Sequence, residues 1–145
     1  MIIQFCNTHV FPVYNQSNCV QSVHTIINST TTIKLSKTDI QQIYMNYPNF
    51  KELLRNNSPL IKGVVYNLTK NNYATKVNNS NLQPGDIVQF WTESWGHCGV
   101  FVKYGKTKNT VFLYSSMPMT NFSSSEFSIT SKFYACRIKN QYLKH

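Results

Sequence analysis

A cysteine at the head of a helix and a histidine at the head of a strand are the residues of this chain best suited to covalent chemistry. Cys19 stands in SNCVQSVHTII, where a polar loop runs into a segment of helical apolar spacing. His97 stands in LQPGDIVQFWTESWGHCGVFV, at the start of a strand that follows a tight turn. A thiol attacks as its thiolate, and the partial positive charge of a helix N-terminus lowers the pKa of a thiol placed there. A neighbouring imidazole lowers it further, takes the thiol proton and later hands it to a leaving amine. The two residues lie far apart in sequence, so only the fold can bring them together.

The elements that must do this are readable from local signals. Residues 2–6 suggest a short strand, and His9–Ser17 a loop containing Pro12. Asn18 is an N-cap for a helix over 19–28, with Val20, Val23, Ile26 and Ile27 at helical spacing. A second helix follows Ser36, with Asp39 in its first turn. Pro48 interrupts it, and Phe50–Arg55 adds a turn or two. Ser58-Pro59 starts a third helix, a cap followed by proline at the first helical position. Its apolar stripe runs over Leu60, Ile61, Val64, Val65 and Leu68 until Asn71-Asn72 closes it. Asn78–Gly85 is a turn-rich loop. The runs Ile87–Thr92, His97–Tyr104 and Thr110–Ser116 then read as strands, with Gly105–Asn109 as the turn between the last two. Phe133–Ile138 reads as a further strand and Ser123–Ser125 as a loop. Helices first and an antiparallel sheet after them predict an α+β fold in one domain over residues 1–145.

Composition narrows the function classes. Hydrophobic residues make up 41% of the 145, with nine Phe and nine Tyr, which is a core-forming composition. No apolar run approaches the roughly 20 residues that span a membrane. The N-terminal MIIQFCNTHVFPVYN lacks the basic and long apolar regions of a signal peptide, so the expected location is cytoplasmic, or outside by a route without a cleaved signal. The formal charge of +9, from 14 basic and 5 acidic residues, favours an anionic partner such as nucleic acid, an acidic membrane or a wall polymer. The basic residues are scattered, with small groups at Lys103, Lys106 and Lys108 and at Arg137, Lys139 and Lys144. There is no zinc-finger spacing and no RNA-binding aromatic signature, so no nucleic-acid partner is expected. Cys6, Cys19, Cys98 and Cys136 form no CxxC pair, and no metal or cofactor is expected. Cys6, Cys98 and Cys136 are either small buried hydrophobes or disulfide partners. The Asn-x-Ser/Thr triplets at Asn28, Asn67 and Asn121 arise easily by chance in so Asn-rich a chain.

LQPGDIVQFW, WGHCGVFV and TVFLYSS together resemble the core of the NlpC-type cell-wall peptidases and the related CHAP amidases, a papain-like superfamily. The resemblance covers about residues 17–30 and 82–116. It implies a papain-like fold with N-terminal helices packed on a C-terminal antiparallel sheet. It makes Cys19 the nucleophile and His97, followed by Gly99, the base, with Pro84-Gly85-Asp86 as the turn that leads to it. Asp86 would hold that turn through its side chain rather than take part in catalysis. The family orients its imidazole with a polar residue on the next strand. The aligned position is Tyr114, with Ser116 on the same face and Ser115 pointing the other way. Strand alternation sets His97, Gly99 and Phe101 on one face and Cys98, Val100 and Val102 on the other. Gly99 would leave room for the Cys19 helix. The oxyanion hole would use the Cys19 N–H and a second donor, for which Gln16 is the candidate by proximity. Trp91, Trp95 and Glu93 flank the turn before His97 and are candidate substrate contacts. His24 should point away from Cys19, and His9 and His145 stand in no motif.

The function expected from this is a cysteine amidase or endopeptidase acting on peptidoglycan peptides. The setting implied by resemblance is an antibacterial effector toxin, monomeric, acting in the periplasm of the target cell and countered by a cognate immunity protein. The alternatives are a papain-like protease, deamidase or acyltransferase acting on proteins, and a non-enzymatic basic binding module.

Overall fold

The computed structural model describes residues 1–144, and His145 lies outside them. Five helices come first: α1 (Ile2–Thr8), α2 (Cys19–Thr30), α3 (Lys37–Tyr44), α4 (Phe50–Arg55) and α5 (Gly63–Lys70), the last entered through a 3-10 turn at Pro59–Lys62. Six strands follow: β1 (Ala74–Val77), β2 (Ile87–Trp91), β3 (Gly96–Tyr104), β4 (Thr110–Met117), β5 (Asn121–Ser128) and β6 (Lys132–Ile138). They form one antiparallel sheet in the order β1-β6-β2-β3-β4-β5. The α+β expectation therefore holds at the level of architecture. No helix among the described residues is long and apolar enough to cross a membrane.

The caps act where the sequence places them. The Gln21 N–H donates to Asn18 Oδ1 (3.0 Å) and the Asn18 N–H to Gln21 Oε1 (2.8 Å), a reciprocal box that starts α2 at Cys19. Ser36 and Asp39 make the same box at α3. Three expectations need correction. Residues 2–8 are helical, because the contacts that bury this segment run from Ile2 to Cys6, one helical turn apart. Ser123–Ser125 lies inside β5, a polar edge strand held by its ladder to β4 rather than by strand propensity. Strand β1, the other edge, carries no sequence signal strong enough to have been expected.

The two faces of the sheet are packed differently. On one, Ile87, Cys98, Val100 and Cys136 meet Val23, Ile26 and Ile27 of α2 and Val64, Val65 and Leu68 of α5. Full burial of each such α2 side chain stabilises by about 2 kcal/mol. The other face holds Val88, Phe90, Phe101, Val111, Leu113 and Phe133. It is closed by curling of the sheet. Strands β2 and β5 are separated by β3 and β4, which in a flat sheet would put them roughly 14 Å apart. Yet the rings of Phe90 and Phe127 lie 5.5 Å apart across the concave side.

The approach to the site is stapled by one turn. Gln83–Asp86 is a type II turn, with Pro84 second, Gly85 at φ +99° third, and the Asp86 N–H returning to the Gln83 carbonyl (3.0 Å). Asp86 Oδ2 accepts from the Gln83 N–H (2.8 Å), the turn-holding role expected of it. Its carboxylate also takes Nε and Nη2 of Arg137 (2.8 and 2.9 Å), which ties β6 to the entry of β2. That ion pair was not foreseen. It removes Arg137 from the terminal basic group.

Candidate active site at the splayed edge of strand three

Cys19 is the first residue of α2 and is part-exposed. The Ser22 N–H bonds the Asn18 carbonyl and the Gln21 N–H bonds the Asn18 side chain, leaving the N–H groups of Cys19 and Val20 as free first-turn donors among the described residues. The loop before the cysteine is pinned from below. Ser116 Oγ donates to the Ser17 carbonyl (2.7 Å), and Ser17 Oγ contacts Ser22 Oγ (3.0 Å), all in buried surroundings.

His97 is 5% exposed and lies on the concave side. Its ring packs against Phe127 (5.1 Å between centroids), Phe90 (5.9 Å) and Trp95 (5.9 Å). Strand alternation puts Cys98 on the opposite face, beneath α2. The head of α2 and the imidazole thus belong to different sides of one strand, and their meeting needs an explanation.

The explanation is where the β3–β4 ladder stops. Its last pair is Val100↔Tyr114, so Gly96–Gly99 pair with β2 alone. The Cys98 N–H has no β4 carbonyl in ladder register, and it is among the groups that lower the Cys19 thiol. The sulfur therefore lies beside β3 where the ladder to β4 has ended. From there it touches the Cys98 thiol on one side and the His97 imidazole on the other. Three contacts follow from one seat.

These contacts set the ionisation of the pair. The Cys19 thiol is drawn down to about 4, first by the hydrogen bond from the Cys98 thiol, then by the hydrogen bond and charge of His97 and by the Cys98 N–H, against the opposing effect of burial. Cys98 moves the other way, held protonated by its bond to Cys19, by burial and by the negative charge beside it. Of the two, the part-exposed thiol touching an imidazole is the one that ionises. Nε2 of His97 is buried and without a hydrogen-bond partner.

The residues expected to orient the imidazole are engaged elsewhere, which corrects both assignments. The Tyr114 hydroxyl bonds Asn7 Oδ1, and its ring stacks on Phe122 on the helix side of the sheet. Ser116 anchors the loop before Cys19 and does not face His97. The residue that shares the His97 face is Ser115. A Cβ on Gly99 would lie 3.0 Å from the Ser115 Cβ and 2.6 Å from the Tyr114 carbonyl oxygen. The space beside Gly99 thus takes β4, not α2 as expected. A β-bulge is the cause. Lys103 pairs with Phe112, but Phe101 pairs with Leu113, a shift of one residue. Without it, Tyr114 and Ser116 would stand on the His97 face; with it, Ser115 does. Ser115 Oγ and Ser123 Oγ, register partners on β4 and β5, are both buried without partners, as is His97 Nε2.

The remaining candidates separate cleanly. Trp95 is 43% exposed, with its ring against that of His97. Trp91 turns to the helices, its Nε1 donating to the Ile61 carbonyl (2.8 Å) and its ring packing on Phe50, so it covers Gly96 rather than His97. Glu93 is exposed in the turn between them. Gln16 is exposed and its side chain makes no hydrogen bond among the described residues, whereas Val20 supplies a second N–H without it. His24 bonds the Tyr44 hydroxyl (3.1 Å), away from Cys19 as expected. Cys6, Cys98 and Cys136 are free and buried, so no disulfide joins them. Burial pushes the Cys6 thiol up to about 12 and Cys136 higher still. Among the described residues, no three His, Cys, Asp or Glu side chains converge on a metal site.

Comparison of this chain with protein-family models, with curated proteins and with solved structures gives no match.

Proposed function

We propose that this protein is a cysteine hydrolase that cleaves amide bonds, with Cys19 as nucleophile and His97 as base and then acid. The observation that carries the reading is the seat of the Cys19 sulfur, at the head of α2 and in contact with His97, where the thiol is held near pKa 4. In the proposed reaction the thiolate attacks the amide carbonyl. The oxyanion forms against the N–H groups of Cys19 and Val20. The imidazolium then protonates the leaving amine, and water deprotonated by His97 hydrolyses the thioester. The fold read this way is of the NlpC or CHAP papain-like type, supported by a nucleophile helix on the convex face of a curled sheet and by the histidine strand after a Pro-Gly-Asp turn. The substrate class that suits this likeness is the peptide of bacterial peptidoglycan. Its carboxylates complement a chain of net charge +9.

The test is digestion of purified sacculi with the native protein and with Cys19→Ala, followed by mass spectrometry of the muropeptides. New products with free amine and carboxyl ends are expected from the native protein only. Identical profiles from the two proteins would overturn the proposal.

A further inference from the structure

We propose that Cys19 and Cys98 form a hydroperoxide-reactive dithiol, in which oxidation joins the two sulfurs in a disulfide and reversibly removes the Cys19 nucleophile. The dithiol requires no hydrolytic substrate. Cys98 is buried beneath α2 in the cluster against which Cys19 packs, and each of the two thiols is the chief influence on the other's ionisation. Exposure divides the roles. Cys19 is part-exposed and can meet a small oxidant, whereas Cys98 is 1% exposed and can meet only Cys19. The other buried cysteines, Cys6 and Cys136, are not among the groups that act on the Cys19 sulfur.

The chemistry balances in two steps. The Cys19 thiolate attacks the terminal oxygen of the hydroperoxide, the O–O bond breaks, and the departing oxyanion takes a proton from water or His97. Cys19 is then a sulfenic acid. The Cys98 sulfur next attacks the Cys19 sulfur as its thiol proton leaves, the S–O bond breaks, and the hydroxide departs with that proton as water. Two thiols have lost two electrons, and the peroxide has become an alcohol, or water, plus water. Forming the bond closes the sulfurs from hydrogen-bond contact to about 2.05 Å. A resolving thiol already in contact acts at very high effective concentration, so disulfide formation outruns further oxidation of the sulfenic acid.

The experiment treats the reduced full-length protein with hydrogen peroxide, quenches it, and reads its intact mass without reductant. The expected species is lighter by two hydrogen atoms, maps to a Cys19–Cys98 cross-link after digestion, loses iodoacetamide labelling at Cys19, and reverts with dithiothreitol. In Cys98→Ala the same treatment should add two or three oxygen atoms to Cys19, irreversibly. The proposal is overturned if native Cys19 gains oxygen without the cross-link, if the disulfide maps to another pair, or if Cys19 does not react. None of these readings depends on peptide hydrolysis, so a failure here and a failure of the hydrolase reading are separate results.

Discussion

The reactivity of this site is decided at one sulfur. Cys19 carries a pKa near 4 where an ordinary thiol has 9.0, so the thiolate predominates at any pH above about 4. Alkylation by iodoacetamide should therefore be half-maximal near pH 4 and level above it, and in His97→Ala the midpoint should move upward toward 9.0. A midpoint that stays put in His97→Ala would show that Cys98 alone holds the thiolate. The depressed value also favours the fold: that contribution is complete above pH 9.0, and falls away as pH drops through 4. The two adjacent serines should separate sharply. Ser116→Ala deletes a buried hydrogen bond to the Ser17 carbonyl and should cost about 1–2 kcal/mol in urea denaturation, with slower Cys19 alkylation as the loop loosens. Ser115→Ala removes a hydroxyl that has no protein partner and should leave stability within about 0.5 kcal/mol. If it nonetheless slows turnover, the His97–Ser115–Ser123 face is holding the imidazole.

Between strands, one residue of register changes which side chain stands on the His97 face. Cys19, His97 and the strands around them were legible because their signals are local: an Asn-x-x-Gln cap, a Pro-Gly turn and period-two alternation. Ser115 was not legible, because its facing depends on a bulge between Phe101 and Lys103 that no single strand announces. Nor were the edge strands, whose polar sequences are extended only because a neighbour offers a free ladder. The seat of Cys19 beside β3 belongs to the same class, since it lies where β4 leaves β3. Gly99 sits at that departure. In Gly99→Ala the new methyl would lie 2.6 Å from the Tyr114 carbonyl oxygen, and backbone must move to admit it. The expected result is a loss of about 1–3 kcal/mol in denaturant stability together with a changed Cys19 alkylation rate. Lost stability with unaltered alkylation would mean that the ladder end and the cysteine seat are mechanically independent.

For the molecule as a whole, charge is the property most separable from the site. Of its five carboxylates, Asp86 is tied to Arg137, Asp39 to Ser36, Asn67 and Asn71, and Glu126 to Thr110. Among the described residues only Asp86 is in an ion pair, and with 14 basic residues against five carboxylates the net field is strongly positive. Such a field draws an anionic polymer to the surface and is screened over a Debye length of about 8 Å at physiological salt. The pair at Cys19 is in direct contact and half-buried, so salt should scarcely reach it. Two salt dependences are therefore expected from one protein. Digestion of sacculi should slow steeply as sodium chloride is raised, through weaker capture of the substrate. Alkylation of Cys19 by neutral iodoacetamide should stay level over the same range. Equal slowing of both would place the salt effect in the thiolate itself and remove the role assigned to surface charge, whereas a flat sacculus rate would leave the basic surface without a part in holding substrate.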